Sequence, residues 1–124
     1  MQRLTDVKGI LPPAPKQRIN LKFSNNWNNK LDCLCFTTIR LWQPERLFTG
    51  QKVHVFLADK DKWIDKGTGI IIDVKSLRME QINTFIANID TGYDVENTKK
   101  IIARMYPNIL NPSLALCLVK YDQK

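Results

Sequence analysis

Thr37-Thr38-Ile39-Arg40-Leu41-Trp42, followed by Phe48-Thr49-Gly50-Gln51-Lys52-Val53-His54-Val55, is the stretch on which the fold turns. Strand side chains alternate between faces. Carried back to Cys33, the first run places Cys33, Cys35, Thr37, Ile39 and Leu41 on one face, and Leu34, Phe36, Thr38, Arg40 and Trp42 on the other. Both faces are largely apolar, which predicts a strand that is central or enclosed in a barrel. Arg40, between Phe36 and Trp42, must then snorkel, pair with a carboxylate or meet an anionic ligand. Pro44 ends the run. The turn at Thr49-Gly50-Gln51 starts a further strand, with Val53, Val55 and Leu57 alternating against Lys52, His54 and Phe56.

Upstream, Arg18 to Phe23 alternates with Ile19, Leu21 and Phe23 on one face, a half-buried strand. The Asn-rich segment from Ser24 to Lys30 reads as a loop, since Asn favours turns and left-handed backbone. Trp27 anchors this loop or, with Lys30, offers a stacking face and a charge. Residues 1–17 lack periodicity and include Leu11-Pro12-Pro13-Ala14-Pro15, so they read as an arm preceding a single domain over residues 18–124.

Downstream, Asp59 to Gly67 reads as a charged hairpin loop and Gly69 to Lys75 as a strand. Ile82, Phe85, Ile86 and Ile89 follow helical spacing, which predicts a helix over Met79–Ala87. Asp94 has the place of an N-cap for a second helix, which Tyr106-Pro107 ends. The last strand, Leu114 to Tyr121, is apolar on both faces and therefore central. The expected class is α+β.

The chain has 124 residues, with 19 Lys and Arg against 12 Asp and Glu. Residues 1–56 hold nine bases and three acids, a net +6; residues 57–124 hold ten and nine, a net +1. The positive field belongs to the first half, which suits a polyanion such as RNA, or simply a solvated basic surface. Three cysteines, no secretory pattern at the N-terminus and no apolar run of membrane-spanning length lead to an expected cytoplasmic, non-membrane protein with free thiols.

Cys33, Cys35, Cys117 and His54 are four potential zinc ligands, but their spacing lacks a C-x2-C pair, so buried thiols acting as small apolar groups are expected, with no metal and no cofactor. His54, the only histidine, has no acid at i±2 and reads as a surface or partly buried residue. No nucleotide-binding glycine motif or hydrolase elbow is present. Asp90, Thr91, Tyr93 and Asp94 form a polar turn at a helix N-terminus, where backbone N–H groups hold an anion or a cap simply closes the helix.

The order of these motifs resembles the ASCH family: Thr37-Thr38-Ile39-Arg40, Phe48 to Val53, Ile70 to Val74, Thr98 to Pro107, and the strand from Leu114, over roughly residues 33–121. The resemblance implies a PUA-like mixed β-barrel of five or six strands with two flanking helices. It also implies association with RNA or modified nucleosides. Small bacterial members of the family are amidohydrolases for N4-acetylcytidine, with a Lys three residues before the Thr of the T-I-R motif and a Glu before the last helix. Here Thr38 and Arg40 match, Cys35 stands at the Lys position, and Asp90, Thr91 and Asp94 occupy the Glu region. A binding module for RNA or a nucleotide is therefore the first expectation. Lys30, Thr37, Arg40, Lys52, Trp42 and Tyr93 would contact the ligand. An amidohydrolase using Thr38 with Asp90 or Asp94, and a protein-interaction domain using the arm, are the alternatives.

Overall fold

The computed structural model describes residues 18–123. The expected arm, residues 1–17, lies outside them. Five strands form one mixed sheet: β1 (Ile19–Phe23), β2 (Cys35–Leu41), β3 (Lys52–Asp59), β4 (Lys62–Arg78) and β5 (Ser113–Tyr121). Their order is β1-β3-β4-β5-β2; β1 runs parallel to β3 and every other pairing is antiparallel. Two α-helices, α1 (Thr84–Asp90) and α2 (Val95–Met105), and two short 3-10 turns, Trp27–Asp32 and Met79–Gln81, complete the described elements. The class is α+β. None of the described helices is long and apolar enough to cross a membrane.

The alternation of Lys52 to Asp59 gives β3 as expected, with Val53 and Val55 fully buried. β4 is far longer than Gly69–Lys75. The charged segment expected as a loop is strand from Lys62 onward, and only Lys60-Asp61 turn, with Lys60 at φ 60. The first half of β4 pairs with β3 and its second with β5, Gly69 and Ile70 pairing with both, and the register with β5 shifts between Ile71 and Asp73. At Gly69 the sheet is so close that a Cβ would lie 2.4 Å from the carbonyl oxygen of Lys120.

β5 is central, paired with β4 on one side and β2 on the other. β2 is not: it pairs only with β5 and lies at the sheet edge. Its apolar faces report two covered faces rather than two hydrogen-bonded neighbours. Phe36 faces one core with Phe23, Val55 and Tyr121, and Ile39 faces another with Leu77, Ala87 and Ile102. The edge strands β1 and β2 face each other across a seam with no backbone ladder among the described residues. Side chains bridge it. Arg40 donates through Nη2 to the Lys22 carbonyl (3.1 Å), Arg46 donates to the Asn20 carbonyl (3.3 Å), and the Phe23 and Phe36 rings meet edge to face at 5.8 Å.

The helix expected over Met79–Ala87 is broken. Met79–Gln81 is a 3-10 turn, and Asn83 starts α1 by accepting from the Ile86 N–H (2.9 Å). Asp94 caps α2 as expected, accepting from the Asn97 N–H (2.8 Å). The cysteine expectation is corrected for two of three: Cys33 and Cys35 are exposed near the start of an edge strand, and only Cys117 is buried.

Burial pushes the Cys117 thiol from 9.0 up to about 11 and the Tyr121 hydroxyl, which donates to the Leu31 carbonyl (2.8 Å), from 10.0 up to about 12. Both acids stay protonated in the fold at pH values where the unfolded chain has lost those protons. Folding stability therefore falls as pH rises through 9 to 12. Urea melts at stepped alkaline pH should show Cys117→Ala flattening the first part of that fall while the later part, which belongs to Tyr121, stays in place.

Candidate functional site

The Asn-rich loop turns Lys30 into the protein. Asn28 and Asn29 take left-handed backbone (φ 59 and 53), which Asn tolerates better than most residues. Asn26 Oδ1 accepts from the Leu31 N–H (2.9 Å), and Asn28 donates to the Asn88 carbonyl (3.2 Å). Gly92, at φ 82, leaves room for Asn28, which an added Cβ would meet at 3.2 Å. So held, Lys30 is 5% exposed and its Nζ donates to Asp90 Oδ1 at 2.9 Å.

Asp90 is the last residue of α1 and is itself buried. Its Oδ1 also accepts from Thr37 Oγ1 (2.9 Å). The next residue, Thr91, shares a 2.7 Å hydroxyl contact with Thr98 and donates to the Ala87 carbonyl, which fixes the α1–α2 turn. On the other face of β2, Thr38 is buried and its Oγ1 accepts from Arg40 Nε (3.1 Å). The Arg40 guanidinium lies over the Phe23 ring, 4.7 Å from its centroid.

Lys30, Thr38, Arg40 and Asp90 line one cavity of about 240 Å³, walled by Phe23, Trp27, Trp63, Ile102 and Met105. Burial is the main force on both cations there. It holds the Lys30 ammonium below its ordinary range, with Asp90 pulling it back up and Arg40 adding to the depression. Burial also lowers Arg40, which stays charged as guanidinium groups do in proteins. The cavity thus combines a guanidinium, an amine paired with a carboxylate, a hydroxyl and aromatic walls.

Of the residues singled out in the sequence, this arrangement brings together Lys30, Thr38, Arg40 and Asp90, with Thr37 behind Asp90. Asp94 lies outside the cavity, exposed, its carboxylate capping α2. Trp42 and Lys52 are exposed and outside it as well, because β2 ends at Leu41 and the Lys52 side chain points to solvent. Tyr93 lines a neighbouring hollow with Trp27, Asn97, Ile101 and Arg104, its ring edge-on to Trp27 at 5.9 Å. His54 is paired across the hairpin with Asp65 (2.9 Å), whose carboxyl that bond holds below its usual range.

Trp63 and Lys22, which sequence reasoning passed over, belong to the cavity wall, with the Lys22 ammonium 5.5 Å from the Trp63 ring centroid. The signal for Trp63 was the apolar pair Trp63-Ile64 inside an otherwise charged hairpin. Among the described residues no three His, Cys, Asp or Glu side chains are placed to hold a metal ion. No protein-family model, no curated protein and no solved structure matches the chain.

Proposed function

We propose that the chain binds a nucleoside or nucleotide in this cavity, on a PUA-like variant of the α+β fold. The observation that carries the reading is the convergence of Lys30, Thr38, Arg40 and Asp90 in one cavity whose lining also includes Trp27 and Trp63. Aromatic walls suit the flat face of a base, and buried donors and acceptors suit its polar edge. Asp90 accepts from an amino group; Arg40, with donors beyond the two used on Thr38 and Lys22, meets a carbonyl or phosphate oxygen.

The Lys30–Asp90 contact favours a second reading, amide hydrolysis on an acylated base such as N4-acetylcytidine. Thr38 Oγ, or a water that it positions, attacks the acyl carbon, and Asp90, beside Lys30, takes the proton. Arg40 donates to the oxygen that gains charge. The C–N bond then breaks as the proton passes to the leaving exocyclic nitrogen; where water attacked, this releases the acid, and where Thr38 attacked, the acyl group is left as its ester, which one water hydrolyses to release the acid and restore the hydroxyl.

Titration calorimetry with cytidine, adenosine and their monophosphates tests the first reading. Binding is expected to weaken at least tenfold in Trp63→Ala, roughly one lost base–aromatic stack. Absence of binding at millimolar ligand overturns it. Incubation with N4-acetylcytidine tests the second: acetate release that drops about 10²-fold or more in Thr38→Val supports it, and no release rejects it.

A further inference from the structure

Cys33 and Cys35 line neither the cavity nor the hollow beside it. Both are exposed, whereas Cys117 is buried. Cys33 leaves the Asn-rich loop in extended backbone (φ -91, ψ 155), and its N–H donates to the Lys30 carbonyl (3.0 Å). Cys35 opens β2. Between them the Leu34 carbonyl accepts from the Tyr121 N–H (2.9 Å), so bonding to β5 reaches one residue beyond the start of the strand. Extended backbone alternates its side chains, so the two thiols leave the same face. Their Cα atoms are then about 6.6 Å apart, two residues at ~3.3 Å each.

We propose that the Cys33–Cys35 pair binds a soft monovalent cation, Cu(I) or Ag(I), as a two-coordinate bis-thiolate complex. Distance selects a metal bridge over a disulfide. A disulfide draws its two Cβ atoms to about 3.8 Å, whereas parallel side chains two residues apart on a strand start about 3 Å farther apart than that. Closing the gap would buckle a segment tied at Cys33 to Lys30 and at Leu34 to Tyr121. Two metal–thiolate bonds of about 2.3 Å each span ~4.6 Å between the sulfurs, which each side chain meets by leaning inward about 1 Å. The donor set selects the ion. Cys117 pairs with Thr38 in the ladder, and so belongs to the opposite face from Cys35 and Thr37. His54 is held by Asp65, and the Asp32 and Asp122 carboxylates meet Lys66 and Arg18. Among the described residues no third His, Cys, Asp or Glu joins the pair. Two thiolates leave Zn(II) short of its four ligands and suit a soft ion that two satisfy. Each thiol gives up its proton on binding, so the complex carries one negative charge. Lys120, exposed and directly opposite Cys35 in the ladder, is placed to offset it.

The test is an anaerobic competition on the full chain, in which Cu(I) held by the coloured chelator bicinchoninate is offered to the reduced protein. The wild type is expected to withdraw one equivalent per chain. Cys33→Ser and Cys35→Ser should each weaken retention about 10²-fold or more, through loss of one of the two metal–thiolate bonds. Both positions are exposed, so the two variants should keep the wild-type urea midpoint. Cys117→Ala removes the third thiol and should leave copper affinity unchanged. X-ray absorption at the copper edge should give two sulfur neighbours. No copper withdrawn by the wild type overturns the proposal, as does a single serine variant that retains wild-type affinity. So does one ion shared between two chains, read from the mass of the intact complex, or a copper shell that contains nitrogen or oxygen.

Discussion

Asp90→Ala is expected to lower folding stability by about 3–5 kcal/mol, the cost of leaving a buried charge without its partner. Both side chains are under a tenth exposed, so solvent does little to screen the loss. Among the described residues no second carboxylate pairs with Lys30, and Thr37 loses the acceptor of its hydroxyl. Lys30→Met should be similarly costly, because it strands the carboxylate. The double replacement, Lys30→Met with Asp90→Leu, should be clearly less damaging than the sum of the two, since an apolar pair needs no compensation. Urea melts of the four proteins close the cycle, and additive losses would show that the pair is not coupled. The pH dependence carries a second sign. A depressed lysine means the unfolded chain binds more protons between the folded and unfolded values, so this group alone makes stability rise with pH up to about 10.5. Lys30→Met should remove that rise and leave the opposing fall from Cys117 and Tyr121 steeper.

Arg40→Lys is the second large effect. The guanidinium does three things at once: it donates to Thr38, donates to the Lys22 carbonyl across the seam, and covers Phe23. An ammonium on a flexible stem cannot reproduce that fork. Two charge-assisted hydrogen bonds at about 1.5–3 kcal/mol each, partly recovered by relaxation and solvent at this half-buried site, give an expected loss of about 3 kcal/mol. Ligand affinity should fall about 10²-fold, with Thr38 no longer held in place. Denaturant melts and calorimetry on the same variant separate the two effects. Full stability with lost binding would make Arg40 purely a ligand contact, and full binding with lost stability would remove it from the site.

Local chemistry made some elements legible and tertiary context hid the rest. The period of two in Lys52–Asp59, the apolar run ending at Tyr121 and the Asp94 cap depend on residues close in sequence, and all three appear in the fold. The edge position of β2 did not, because a buried face looks the same whether a strand or a helix covers it. The hairpin was legible, but the strand from Lys62 was hidden by its charges, which stay in solvent while the backbone pairs. Asp65, the side-chain partner of His54, is eleven residues away in sequence and comes within reach only through that hairpin. For the site, Thr38, Arg40 and Asp90 were nameable, but the entry of Lys30 depends on two consecutive left-handed asparagines and on a loop pinned sixty residues away at Asn88. Composition marks such a loop as a turn and does not say where its lysine points.

The seam between β1 and β2 bears on what its edge strands offer to other chains. A strand at a sheet edge offers open carbonyls and amides to any other extended chain, which is how native proteins are drawn into edge-to-edge assemblies. In β1 the carbonyls of Asn20 and Lys22 are already taken by Arg46 and Arg40. The four basic side chains along that strand, Arg18, Lys22, Arg40 and Arg46, repel a second copy bearing the same row. The arginines that stand in for a missing backbone ladder therefore also occupy carbonyls that another extended chain would need, and their like charges oppose the pairing of two such strands.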